Sequence, residues 1–137
     1  MKKIIPAGLI AGAIMLAAGM FTGFVFQLAV PSIRNEYQNA NLFRPWSDPL
    51  MSLYFIHPFL VGVIMAWLWS KTKDLIQGTT PGQKGMRFGM IYFLISVPGM
   101  LISYSSFPIS IALTLSWTFA ILVQGLCSGF LFSRMLR

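Results

Sequence analysis

A chain of 137 residues that is 56% hydrophobic and 9% charged, with a mean hydropathy of +0.73, has too few polar groups to cover a water-facing globule, so an ordinary soluble domain is excluded. Its net charge of +7 does not point to nucleic acid, because the basic residues are dispersed at the ends of apolar runs, where they meet anionic headgroups. Cys127 is the single cysteine, which excludes an intramolecular disulfide, a CxxC redox pair and a thiolate metal cluster.

The first apolar run, residues 4–30, is about 40 Å long as a helix, more than the roughly 30 Å of hydrocarbon in a bilayer. Lys2-Lys3 ahead of apolar residues also has the form of a signal peptide, and Leu16-Ala17-Ala18-Gly19 leads up to a lipoprotein-type cleavage site. Met20 stands where that site needs its cysteine, and the run continues through Phe21, Phe24, Val25 and Phe26, so the segment is read as an uncleaved first span. Around this helix Gly8, Gly12, Gly19 and Gly23 fall within a sector of about 60°. Such a stripe lets another backbone approach closely.

Residues 31–49 make the one sizeable loop between spans. Arg34, Glu36, Tyr37, Phe43, Arg44, Trp46 and Asp48 make it chemically richer than a connector needs to be. Arg44 and Asp48 are expected to pair across the turn set by Pro45 and Pro49, with Trp46 at the membrane interface. A cap over the bundle mouth is the structural reading, and a binding surface is the functional one.

A second span, residues 50–70, closes with Trp67 and Trp69, expected interfacial anchors before Lys71 and Lys73. His57, the one histidine, lies among Tyr54, Phe55 and Phe59, about 13 Å along the helix from Asp48 at 1.5 Å per residue. An ionisable group inside a span is by default a functional-site hypothesis. The structural alternative is a neutral His57 hydrogen-bonded near the outer interface, with Gln27, Asp48 or Tyr104 as its partner. No companion ligands accompany it, so no metal or other cofactor is expected. Residues 71–85 form a polar cytoplasmic loop around Gly78-Thr79-Thr80-Pro81-Gly82.

The third span, residues 86–104, is expected to kink at Pro98-Gly99, and Ser105-Ser106-Phe107-Pro108 turns the chain into a fourth span, residues 109–133. Gly85 with Gly89 and Gly125 with Gly129 are GxxxG pairs, and Gly62 with Ala66 is a looser version. Ser110, Thr114 and Thr118 recur every four residues, with Gln124 deeper. They either line a polar path or bond back to their own helix.

Eight of the ten Lys and Arg residues (Lys2, Lys3, Lys71, Lys73, Lys84, Arg87, Arg134 and Arg137) flank the spans on one side, leaving only Arg34 and Arg44 for the other. That bias predicts an all-α integral membrane protein, a single bundle of four spans with both termini cytoplasmic, in a bacterial-type inner membrane. An enzyme is not expected: no nucleophile sits beside a base, and HExxH, paired carboxylates and a phosphate-binding Gly-rich loop are all missing. In size and span count alone the chain is similar to the small multidrug-resistance family and to dual-topology fluoride channels. It lacks the first-span carboxylate of the former and the charge balance of the latter. The reading that remains is an accessory, scaffold or ligand-binding subunit with its chemistry at the external mouth, near His57, Arg44, Trp46, Asp48, Tyr54, Tyr104 and Gln27. Its expected partners are the lipid bilayer and a second copy or a larger membrane complex. The alternative is a small solute or ion permease using His57 and the Ser/Thr face of the fourth helix.

Overall fold

The computed structural model describes residues 3–136, so Lys2 and Arg137 of the basic set lie outside the described residues. It is all-helical, with α1 (Ile4–Ala29), α2 (Pro31–Tyr37), a 3-10 turn (Pro49–Met51), α3 (Ser52–Thr72), α4 (Pro81–Ser106) and α5 (Ile111–Met135). The four long helices are each apolar and long enough to cross a membrane.

Proline and capping side chains set the helix ends. Val30, kept out of helical geometry by the proline that follows it, closes α1, and Pro31 then opens α2 at a position where its missing N–H is not needed. Asp48 caps the 3-10 turn by accepting from the Leu50 N–H at 2.9 Å. Thr80 accepts from the Gln83 N–H at 3.2 Å, and the Gln83 amide oxygen accepts in return from the Thr79 N–H at 3.0 Å. This reciprocal cap, with Pro81 at the first helical position, starts α4 inside the stretch read from sequence as polar loop. Ser110 caps α5 through the Leu113 N–H at 3.1 Å. The helices continue through Pro58 and Pro98, so neither proline ends its element.

Glycine decides which helices touch. A methyl group on Gly8 or Gly12 would press on the Val63 or Phe59 backbone of α3, and one on Gly62 would press on Gly8 and Gly12 in return. Gly85 faces Gly129, and Gly89 faces Gly125, in the same reciprocal way. The contacts therefore run α3 to α1, α1 to α5 and α5 to α4. Backbone-to-backbone approach of this kind supplies the dispersion that lipid cannot replace with a hydrophobic drive.

The start of α1, the end of α3, the start of α4 and the end of α5 gather at one end, which carries Lys3, Lys71, Lys73, Lys84, Arg87 and Arg134. Trp69, Phe88 and Phe132 stack edge to face there, with centroids 5.4 and 6.3 Å apart. Trp69 is only 2% exposed and donates to the Leu136 carbonyl at 3.2 Å, so it is a core residue and not the interfacial anchor read from sequence. Trp67, two positions earlier and about 200° around the helix, is the one left facing out, at 51% exposure.

At the opposite end, residues 31–49 are not loop throughout. The helix α2 lies against the start of α5 through buried Ile33, Ile109 and Leu113. Glu36 accepts from the Ser110 N–H at 2.8 Å, and the Trp117 indole donates to the Tyr37 hydroxyl at 2.6 Å.

Candidate ligand-binding cavity

Because α3 and α4 share no extended interface, the helices part at the α2 end and enclose a cavity of about 540 Å³. From α1 it takes Gly19, Met20, Gly23, Phe24 and Gln27, and from α5 it takes Ser116, Trp117, Ala120, Ile121 and Gln124. Its roof is the segment carrying Tyr37, Phe43, Arg44 and Trp46, Tyr54 and Phe55 of α3 close one side, and Met100 of α4 also lines it.

The stripe of α1 divides here. Gly8 and Gly12 are spent on helix contact, whereas nothing stands within 4 Å of where a side chain on Gly23 would begin. Gly19 lies between these cases. A methyl there would meet the Gln124 amide nitrogen at 2.6 Å, so its absence lets Gln124 cross the interface and donate to the Met15 carbonyl at 3.0 Å. That amide closes the bottom of the cavity.

Two aromatic groups stand at the mouth. Trp46, Tyr54 and Phe55 contact one another with centroids 5.3 to 6.1 Å apart. Phe43 contacts Tyr37 at 5.4 Å and Trp117 at 6.0 Å. Burial pushes the Tyr37 phenol above its ordinary pKa, the Trp117 bond opposing this in part, so the hydroxyl stays protonated at neutral pH. It accepts from Trp117 and keeps its own proton to donate.

Arg44 donates to Asp48 at 2.9 Å, the pair expected across the Pro45–Pro49 turn. The Leu50 N–H, and after it this Arg44 bond, holds the Asp48 carboxyl below its ordinary range. Asp48 itself acts as cap and anchor and does not line the cavity, while Arg44 does.

Of the residues singled out in the sequence, Gln27, Arg44, Trp46 and Tyr54 line one cavity. His57 and Tyr104 do not. Both are exposed and neither is among the residues that line it. His57 is three residues past Tyr54, yet the cavity is bounded by the opening turns of α3 and the chain has turned past it. Tyr37, Phe43, Trp117 and the open side of Gly23 were missed as lining groups. Pro31 at a helix start, with Ile33 and Tyr37 one turn apart, was the available signal for α2.

The hydroxyls of Thr114 and Thr118 donate to the carbonyls four residues back, at 3.0 and 2.8 Å, so the polar track is turned onto its own helix. Among the described residues, no three His, Cys, Asp or Glu side chains come together as a metal cage. A second, smaller hollow of about 380 Å³ lies at the basic end between Lys3, Ser70, Lys73 and Arg134. The chain matches no known protein family, and no curated protein or solved structure shows significant similarity to it.

Proposed function

We propose that the chain is a small multi-pass membrane protein, its basic end cytoplasmic, that serves as a ligand-binding or accessory subunit and takes its ligand in the outer cavity between the four long helices. The observation that carries this reading is the 540 Å³ cavity itself, within the roughly 300–1,000 Å³ typical of single-ligand sites. An apolar body with a few convergent polar groups at its mouth is the usual character of such a site. Charge supports the orientation: six described basic residues and Asp74 stand at one end, against Arg34 and Arg44 with Glu36 and Asp48 at the other. The permease reading draws less support, because the Thr114 and Thr118 hydroxyls are committed to their own helix and His57 does not line the cavity.

Extraction and mass spectrometry of the small molecules that co-purify with the wild-type chain and with Gly23→Leu test the reading. A compound retained in stoichiometric amount by the wild type and lost from the variant is the expected result. Identical contents in both, with neither enriched over the surrounding lipid, would remove the cavity as the functional site.

A further inference from the structure

The hydrogen-bonding capacity of the cavity is distributed unequally along its depth. At the bottom it is turned into the protein, Gln124 donating to the Met15 carbonyl at 3.0 Å, and the Ser116 hydroxyl, level with Trp117, is committed to the Leu113 carbonyl at 2.8 Å. The middle is Gly23, Met20, Phe24, Ala120 and Ile121, with no charged group. A hydrophilic solute seated there would leave its polar atoms unpaired, which is costly in a dry site.

At the mouth the balance reverses. The Tyr37 hydroxyl retains a proton that no described residue accepts, and Arg44 commits one nitrogen to Asp48 while its remaining N–H groups have no described protein partner. Among the described residues that line the cavity, Arg44 is the one with a charge and none is acidic. The polarity gradient therefore runs from a rim of N–H and O–H donors, Arg44 among them in its ion pair with Asp48, to an apolar interior. A long apolar body with one anionic end matches it.

We propose that the occupant of the outer cavity is a single-chain anionic amphiphile, its hydrocarbon tail lying along the open face of Gly23 and its head accepting from Arg44 and the Tyr37 hydroxyl. The inference rests on the reading of this cavity as the ligand site and goes further by naming the ligand's class. One chain is the content that 540 Å³ suits, and the glycine at position 23 is the feature that keeps the tail's path clear. Gly19 contributes differently, by letting Gln124 reach across and stop the tail at the bottom.

The test uses the full chain, delipidated and held in amphipol, with dibromostearate as the probe. Its bromines quench tryptophan, and Trp46 and Trp117 line the cavity. Saturable quenching is expected, displaced by the straight-chain carboxylates from hexanoate to palmitate. Affinity should rise by about three- to fourfold per added methylene until the cavity is full. The matching alcohols and trimethylammonium compounds should bind more weakly, and Arg44→Gln should narrow that difference. Gly23→Leu should lose about tenfold or more in affinity, its side chain occupying space worth several methylenes. Gly82→Leu adds the same side chain at the start of α4, at the basic end and away from the cavity, where a methyl meets only Phe130 at 3.9 Å, and it should leave the affinity unchanged. Ala120→Leu fills the cavity from the α5 side and should repeat the Gly23→Leu result.

Binding that is saturable and lost in Gly23→Leu, but indifferent to chain length or stronger for the cationic head, would overturn the amphiphile while leaving the ligand site in place. Binding that is not saturable, or is equal in Gly23→Leu and Gly82→Leu, would overturn both.

Discussion

Gly12 and Gly23 belong to one stripe on one helix, yet adding a single methyl group to each should change stability in opposite directions. At Gly12 the new carbon would stand 2.6 Å from the Phe59 Cα, against the 3.4 Å at which ordinary contact begins, so α1 and α3 must part by about 0.8 Å. The obstacle is backbone and cannot rotate aside. A gap of that size forfeits roughly a quarter to a half of the dispersion well for each atom pair that opens. Overpacking of a close contact costs about 1–3 kcal/mol, and Gly12→Ala is expected within that range or above it. At Gly23 nothing lies within 4 Å of the added carbon, so no contact has to give. There the gain in helix propensity of alanine over glycine, up to about 1 kcal/mol, stands alone. Thermal unfolding followed by circular dichroism in one mild detergent should give a lower midpoint for Gly12→Ala than for the wild type, and an equal or higher one for Gly23→Ala. Shifts of the same sign and size in both variants would refute the division of the stripe into a packing half and a cavity half.

The Tyr37–Trp117 bond fixes α2 on α5, and a double-mutant cycle of Tyr37→Phe with Trp117→Phe should return a coupling of about 0.5–1.5 kcal/mol; additivity would deny the bond. Asp48 has a folded pKa below its ordinary 3.8, so its contribution to the Arg44 anchor is fully present above that value and lost as pH falls through the lowered one. The 44–48 segment should accordingly be unchanged between pH 5 and pH 8, about the span over which an unperturbed His titrates, and loosen only in acid, as followed by Trp46 fluorescence. Asp48→Asn should abolish the acid transition. With Cys127 replaced by serine, a cysteine at Asn41 should be labelled from outside intact cells and one at Thr79 should not. The reverse pattern would invert the assigned orientation.

The apolar runs and their flanking charges by themselves determined that the chain has four long apolar helices and roughly where each runs, the start of α4 at Pro81 excepted, because length and hydropathy are local properties. The Arg44–Asp48 pair was legible too, since both groups lie on one proline-bounded turn. The pairing of helices was not. Gly8, Gly12, Gly62 and the GxxxG glycines of α4 and α5 announce close approach, but which face meets which depends on where all the helices stand at once. For the same reason His57 and Tyr104, adjacent to the mouth by distance along their helices, do not line the cavity, whereas Tyr37 and Trp117, 80 positions apart, meet at 2.6 Å. Trp67 and Trp69 read alike in sequence, and only the side of α3 that Phe88 and Phe132 cover separates a surface ring from a core ring. The cavity belongs wholly to this second level: it is the space left where helices held together by glycine at one end part at the other, and a glycine at position 23 has no contact of its own to reveal it.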